Sequence, residues 1–205
     1  MIRTTWGYTL VDVDTLPEML TEDEFNTDTA NKYQGDVRIA PEIKAAESAI
    51  RNYVGWHLAG ELGCLFEVRA RSKNISTVFH DTMIQLPARY VSEIKSVLID
   101  GTEAEDYEIQ TNGILTVFNL TPEQRYSKIS VSYVAGLPDS MMEAVKDIVM
   151  HRVTHALANS YGIQSESSGG VSITYSATWA NTAHATALAA DNKEVLEPYR
   201  LQGVF

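Results

Sequence analysis

Residues Ile50-Arg51-Asn52-Tyr53-Val54-Gly55-Trp56-His57 end a helical sequence pattern and directly precede a region of strand-like alternation. From Pro41 onward, apolar or aromatic residues recur at steps of three and four, namely Ile43, Ala46, Ile50, Tyr53 and His57. This spacing places them on one face of a helix, and Pro41 suits the first turn. We therefore predict a helix over residues 41–58, terminated by Gly60 and Gly63.

The opposite face of this helix is polar. Glu47 and Arg51 lie four residues apart in the order that favours a helical ion pair, worth a few tenths of a kcal/mol. We expect this pair to lie on the surface.

Between Cys64 and Gly136 the hydrophobic period changes to that of strands. Strand-like alternation covers residues 66–69, 76–79, 96–99 and 130–133. Asp100-Gly101 and Asn112-Gly113 are strong signals for hairpin turns. The region is predicted to be an antiparallel β module inserted into a helical framework.

Helical patterning flanks this module on both sides. Residues 137–160 carry the stripe Met142, Val145, Val149 and Val153, continued by Ala156 or Leu157, and this helix is expected to pack on the first. Thr21-Glu22-Asp23-Glu24 has the form of a capping box, which predicts a short N-terminal helix. After a break at residues 165–170 come a strand-like segment at 171–175 and a short helix near 192–196.

The predicted fold class is α+β. It is a small helical bundle framework of two long helices plus short N- and C-terminal helices, with the inserted antiparallel β module and an extended C-terminal tail. The predicted parts are an N-terminal helical part at residues 1–63, the β module at 64–136, the second framework helix at 137–163, and a flexible linker with a tail at 164–205.

Composition narrows the possible functions. The chain has 205 residues, of which 44% are hydrophobic, and its 16 Lys and Arg against 27 Asp and Glu give a formal charge of −11. Such an acidic surface repels phosphate backbones, which argues against sequence-specific DNA binding. No apolar run is long enough for a membrane span, and the N-terminus lacks a signal-peptide pattern, so we expect a soluble, unexported protein.

The sequence predicts no catalytic, cofactor-binding or metal-binding residue. His151 and His155 are spaced as in a zinc-protease helix, but Arg152 stands where the catalytic glutamate belongs. Cys64 has no catalytic setting and is predicted to be a small buried hydrophobe. Gly169-Gly170 is followed by no Lys-Ser or Lys-Thr, so it is not a phosphate loop.

The helix over residues 45–57, the later helix opening Gly136-Leu137-Pro138, the Gly169-Gly170 linker, and the ending at residues 196–205 together resemble a head-tail connector protein (head completion or adaptor) of a tailed bacteriophage. This resemblance implies a ring, usually of twelve copies, beneath the portal in the virion neck. Such a ring extends the channel through which double-stranded DNA passes without sequence-specific binding. The implied partners are the portal protein, a stopper or tail-completion protein, and other copies of the chain. The resemblance also implies that the protein is made in the host bacterial cytoplasm.

The resemblance also implies roles for particular residues. The tail over residues 171–205 is expected to dock on the portal. The candidate contact residues in it are Val171, Ile173, Tyr175, Trp179, Tyr199, Arg200, Leu201, Val204 and Phe205. A second set is expected to form the framework or the contact between neighbouring subunits: Ile43, Ile50, Tyr53, Trp56, His57, Met142, Val145, Val149, His151 and His155.

Two alternatives stay open from the sequence. The chain could be another neck or tail-completion protein, such as a stopper, although stoppers normally have more β structure and a smaller helical framework. It could also be a metal-dependent hydrolase that uses His151 and His155.

Overall fold

The computed structural model describes residues 1–11, 13–69, 75–78, 81–110, 112–120, 128–158, 165–168, 171–174 and 188–201. The chain forms two compact units. Unit 1 contains Met1–Pro17, Val54–Ser140 and Tyr199–Phe205, and unit 2 contains Glu18–Tyr53 and Met141–Pro198. The combination of helices with antiparallel sheets confirms the α+β class.

Unit 1 contains two antiparallel sheets. Its strands are β1 (Ile2–Arg3), β2 (Thr9–Val11), β3 (Leu62–Arg69), β4 (Ile75–Val78), β5 (Asp81–Gln85), β6 (Val91–Ile99), β7 (Thr102–Glu103), β8 (Tyr107–Ile109), β9 (Ile114–Val117) and β10 (Lys128–Ala135). The six-stranded sheet has the order β1-β2-β3-β10-β6-β7, and the four-stranded sheet has the order β4-β5-β9-β8. The central strand β10 pairs with both β3 and β6, and its alternate residues Ile129, Val131 and Tyr133 are fully buried.

The predicted strands and turns are largely confirmed. Each of the four predicted segments falls on a strand, namely β3, β4, β6 or β10, apart from residue 79, which lies outside the described residues. Asp100 and Gly101 join β6 to β7 with φ of 50° and 86°. Positive φ at both central residues defines the turn whose twist matches a hairpin, which is why Asp-Gly predicted it.

The N-terminal residues differ from the prediction of one helical part at residues 1–63. β2 pairs with β3 through Thr9↔Leu65, Leu10↔Cys64 and Val11↔Gly63, so the start of the chain extends the six-stranded sheet. Strands of two and three residues are too short to show an alternating pattern. Their conformation comes from pairing with β3, which a local pattern does not reveal.

Unit 2 is built mainly from helices. The helices are α1 (Glu22–Asp28), α2 (Ile39–Val54), α3 (Asp139–Ala158) and α4 (Ala190–Leu196), and the 3-10 helix Glu197–Tyr199 follows α4. The Thr21–Glu24 capping box is confirmed, with both reciprocal hydrogen bonds present. α2 ends before Gly55, whose φ of 84° makes it the residue that terminates the helix. The predicted end at residue 58 was therefore four residues too late, and His57 lies outside the helix.

The predicted apolar stripes of α2 and α3 are confirmed as core. The buried stripe residues include Ile43, Ala46 and Ile50 on α2 and Met142, Val145, Val149, Val153 and Leu157 on α3. Each large apolar side chain buried in this way contributes roughly 1.5 to 3 kcal/mol. The two stripes therefore supply much of the stability of unit 2.

A hairpin occupies part of the segment that was predicted to be a flexible break. β11 (Ser165–Ser168) pairs with β12 (Val171–Thr174), with Ser165 opposite Thr174 and Ser168 opposite Val171. The prediction of β structure after residue 170 and of a short helix near 192–196 is confirmed by β12 and α4. Polar composition suggested a linker at 165–168, but pairing with β12 satisfies its backbone groups.

The Glu47–Arg51 pair is buried, which corrects the expectation of a surface pair. Glu47 is 3% exposed and Arg51 is 6% exposed. Glu47 Oε2 accepts a hydrogen bond from Arg51 Nη1 at 3.2 Å, and Oε1 accepts from the backbone N–H groups of Met19 and Leu20. The carboxylate thus holds the chain that leads into α1. Helical spacing alone could not reveal this, because the backbone N–H groups that donate to Glu47 belong to Met19 and Leu20, which are 28 and 27 positions away in the sequence.

We expect Glu47→Gln to lower the free energy of unfolding by about 3 kcal/mol, because it leaves the buried Arg51 guanidinium without its carboxylate. Urea unfolding followed by circular dichroism measures the loss. The exposed Glu194→Gln is the matched control and should change stability by less than about 0.5 kcal/mol. Equal stabilities for the two variants would show that the buried pair does not support unit 2.

Candidate functional site

The segment Val54–Gly60, here called the junction, connects α2 to the β structure of unit 1. Gly55, Leu58 and Gly60 all have positive φ, of 84°, 67° and 76°. Such a conformation is rare for leucine, so Leu58 is held there by its surroundings. Its carbonyl accepts a hydrogen bond from Leu137 N–H at 2.8 Å. The junction is therefore tied to the end of β10.

His57 is fully buried and has hydrogen bonds at both ring nitrogens. Nε2 lies 2.8 Å from the Ala135 carbonyl oxygen, and Nδ1 lies 2.7 Å from the Tyr8 hydroxyl. A carbonyl can only accept, so Nε2 carries the proton and, in the neutral ring, Nδ1 accepts from Tyr8. The Tyr8 hydroxyl in turn accepts from His57 N–H at 3.0 Å. The geometry gives this histidine a structural role, joining the N-terminal strands to β10.

Trp56 holds the C-terminal end of the described chain. Its ring N–H donates to the Tyr199 carbonyl at 2.8 Å, and Leu201 N–H donates to the Val54 carbonyl at 2.9 Å. Arg89 Nη1 donates to the Arg200 carbonyl at 3.1 Å. Residues 199–201 are thus bound to unit 1 by three hydrogen bonds to their backbone.

A cluster of two tyrosines and two arginines surrounds this attachment. The Tyr90 ring stacks on Trp56 at 6.5 Å between centroids and lies 6.2 Å from the Tyr199 ring. Arg200 is exposed, and Arg89, Tyr90 and Tyr199 are half-buried. We call these four residues the Arg–Tyr patch. Tyrosine and arginine are enriched among the residues that dominate binding energy at protein interfaces.

Unit 2 carries a surface of opposite charge in the groove between α1 and α3. Exposed carboxylates line it, from Asp23 and Asp28 on α1 and from Glu143 and Asp147 on α3. We call these four residues the acidic groove. The side chains of Leu20 and Met150, buried and half-buried, also line it and give it an apolar component.

Glu24 links the two helices that line the groove. Its carboxylate closes the capping box at Thr21 N–H (2.8 Å) and accepts from Lys146 Nζ on α3 (2.7 Å). The Lys146 hydrogen bond, followed by those of Thr21, lowers the pKa of Glu24 to about 2. One side chain therefore caps α1 and joins it to α3.

The predicted portal-docking residues fall into three groups. Tyr199, Arg200 and Leu201 lie at the attachment just described, and Val171 and Ile173 lie in β12. Tyr175, Trp179, Val204 and Phe205 lie outside the described residues. The structure brings the first three together with Trp56, which belongs to the other predicted set.

Most of the predicted framework or interface residues are interior. The buried members are Ile43, Ile50, Trp56, His57, Met142, Val145 and Val149. Surface remains on Tyr53, which is half-buried and donates to the Glu197 carboxylate at 2.7 Å, and on His151 and His155. Any contact with a neighbouring subunit would therefore have to use side chains outside the buried stripes.

Arg152 and Cys64, two of the residues that were weighed as parts of a metal site or a catalytic site, are buried. Arg152, between the two histidines, is 7% exposed, and burial lowers its pKa. Cys64 is buried as predicted, and burial raises the pKa of its thiol to about 12. In the described part of the chain, no group of three or more His, Cys, Asp or Glu could hold a metal ion. Within the same residues, no helix is long and apolar enough to span a membrane.

Sequence reasoning did not identify Tyr8, Arg89 or Tyr90. None of them belongs to a periodic pattern or a motif. Tyr8 stands 49 residues from His57, and Arg89 stands 111 residues from Arg200. Their importance follows only from the fold.

Gly136 lies where the end of β10 meets the junction. A Cβ atom at this position would lie 2.0 Å from the Gly60 carbonyl oxygen, whereas one at Gly63 would make ordinary contacts of 3.7 Å. We expect Gly136→Ala to destabilise the protein by about 3 kcal/mol, because a backbone group has to move. Gly63→Ala is the control, and thermal unfolding is the measurement. Similar unfolding midpoints for both variants would contradict the close approach.

Lys146→Met should reduce stability by about 0.5 kcal/mol at pH 7, since the pair with Glu24 is partly exposed and screened by solvent. The folded-state pKa of Glu24 is depressed, so this contribution is present above its ordinary value of 4.5 and is lost as the pH falls toward 2. Urea unfolding at several pH values measures the difference from the wild type. Exposed Lys44→Met is the control, and a difference that persists at pH 2 would rule out this pair as its source.

The chain matches a known protein family. The profile of the head completion protein family matches residues 18–201, which include helices α1 to α4 and strands β3 to β12. No curated protein matches the chain significantly. The match covers well over half of the sequence and agrees with the resemblance seen in the helical segments. The chain therefore belongs to the head completion protein family and is a structural protein of the phage virion, acting at the head.

Proposed function

We propose that the protein is one subunit of an oligomeric ring, usually of twelve copies in such connectors, that lies beneath the portal and joins the head to the tail. The family match over residues 18–201 is the observation that carries this proposal. The portal is the opening of the head through which DNA passes. A protein that completes the head would therefore bind at the portal. The ring would extend the DNA channel and offer a platform for a stopper or tail-completion protein.

The charge of the protein supports a role as a conduit. The chain carries a formal charge of −11. Like charge repels the phosphate backbone over about a Debye length, roughly 8 Å at physiological salt. DNA would therefore pass such a ring without binding to it.

Portal docking is assigned to the C-terminal tail, but not to all of its predicted residues. Tyr199, Arg200 and Leu201 are hydrogen-bonded through their backbone to other residues of unit 1, which fixes this part of the tail. Of the other predicted residues, Trp179 and Phe205 have the largest apolar side chains, and large aromatic residues are the usual anchors at interfaces. They are the proposed contacts with the portal.

Purified portal of the same phage, mixed with this protein and imaged by electron microscopy, should show additional ring density on the tail-facing side. Trp179→Ala with Phe205→Ala should weaken binding by about tenfold or more, because two aromatic anchors are removed. Met83→Ala, at an exposed position in unit 1, is the control and should bind as the wild type does. Portals that remain bare with the wild-type protein would sink the proposal.

The β-rich unit 1 favours one alternative, a stopper or tail-completion protein. The order of addition separates the two functions. A ring subunit of the proposed kind binds the portal directly, whereas a stopper binds only after an adaptor ring is in place. Binding that requires such a second protein would replace the proposed function with this alternative.

A further inference from the structure

The Arg–Tyr patch and the acidic groove have complementary chemistry. The patch contains half-buried Arg89, whose guanidinium donates to the Arg200 carbonyl, exposed Arg200, and the neighbouring rings of Tyr90 and Tyr199. The groove presents four exposed carboxylates beside the apolar side chains of Leu20 and Met150. Guanidinium groups bind carboxylates with strong, directional hydrogen bonds, while aromatic rings cover apolar surface.

The groove carries more negative than positive charge. Among the described residues that line it, Lys146 is the one cation, against the five carboxylates of Asp23, Glu24, Asp28, Glu143 and Asp147. The surface of the groove therefore has a net negative charge, and like charges repel each other. Bringing cationic groups from another molecule into the groove relieves this repulsion.

We propose that the Arg–Tyr patch of one subunit docks in the acidic groove of the next. This inference rests on the proposed ring function and names the surfaces that would form it. The patch belongs to unit 1 and the groove to unit 2, so the two are different surfaces of the same chain. A contact between different surfaces is head-to-tail, and it closes into a ring when the rotation between neighbours allows.

A second copy of the chain suits the patch better than DNA does. Phosphates would also attract Arg89 and Arg200, but the protein as a whole is strongly acidic and repels a nucleic acid backbone. The groove, in contrast, needs a cationic partner, and the patch provides one at equal stoichiometry in every copy. Because its ion pairs are at a surface, the contact weakens as salt is raised.

The test reverses the charge of each surface separately. One variant carries Arg89→Glu and Arg200→Glu, and the other carries Glu143→Lys and Asp147→Lys. Native mass spectrometry counts the subunits bound to each portal of the same phage. A charge-matched control reverses the exposed Arg3 and Lys95 of unit 1 to Glu.

Each reversed variant alone should fill the ring only at a protein concentration that is higher by about tenfold or more, because like charges then face each other. An equal mixture of the two variants should restore the ring, since every contact in an alternating ring again joins opposite charges. The control should assemble as the wild type does. Circular dichroism checks that each variant is folded. If the double patch variant unfolds, Arg200→Glu alone replaces it, because this variant keeps the hydrogen bond from Arg89 to the backbone carbonyl of residue 200.

The outcomes separate this inference from the proposed function. A wild-type protein that forms no ring on the portal overturns the proposed function. A wild-type ring that both reversed variants also form overturns the inference and leaves the ring in place. Loss of assembly in both variants without recovery in the mixture overturns the pairing of these two surfaces. Variants that assemble normally but no longer contact DNA would assign the patch to DNA instead.

Discussion

The buried and partly buried hydrogen bonds of the junction hold together the three separate stretches of chain that form unit 1. His57 binds Tyr8 from the N-terminal stretch and Ala135 at the end of β10, while Trp56 binds Tyr199 from the C-terminal stretch. Buried polar groups are costly unless they are paired, so each of these contacts requires its partner to be in place. Residues distant in sequence therefore depend on one short segment after α2.

The same constraint positions the surfaces on which the proposed assembly depends. Trp56 stacks on Tyr90 and donates to the Tyr199 carbonyl, and Arg89 donates to the Arg200 carbonyl, so these contacts bring the residues of the Arg–Tyr patch together. In unit 2 the carboxylate of Glu24 caps α1 and accepts a hydrogen bond from Lys146 on α3, so it links the two helices that line the acidic groove. Rigid supports of this kind reduce the entropy lost when two surfaces associate.

The sequence predicted the elements whose signals are local. The apolar stripes of α2 and α3, the capping box at Thr21 and the Asp100-Gly101 hairpin depend on residues a few positions apart. The short strands β1 and β2, the buried Glu47–Arg51 pair and the Arg–Tyr patch depend on partners far along the chain. A local pattern contains no information about such partners, so it indicates neither the burial of Glu47 nor the contacts of Tyr90.

A cryo-EM reconstruction of the assembled virion neck would show whether the two surfaces meet between subunits. We expect a ring of this chain on the portal, in which Arg200 of each subunit lies within hydrogen-bonding distance of Asp147 or Glu143 of the next. A neck without this chain, or a ring in which the Arg–Tyr patch and the acidic groove both face solvent, would contradict it.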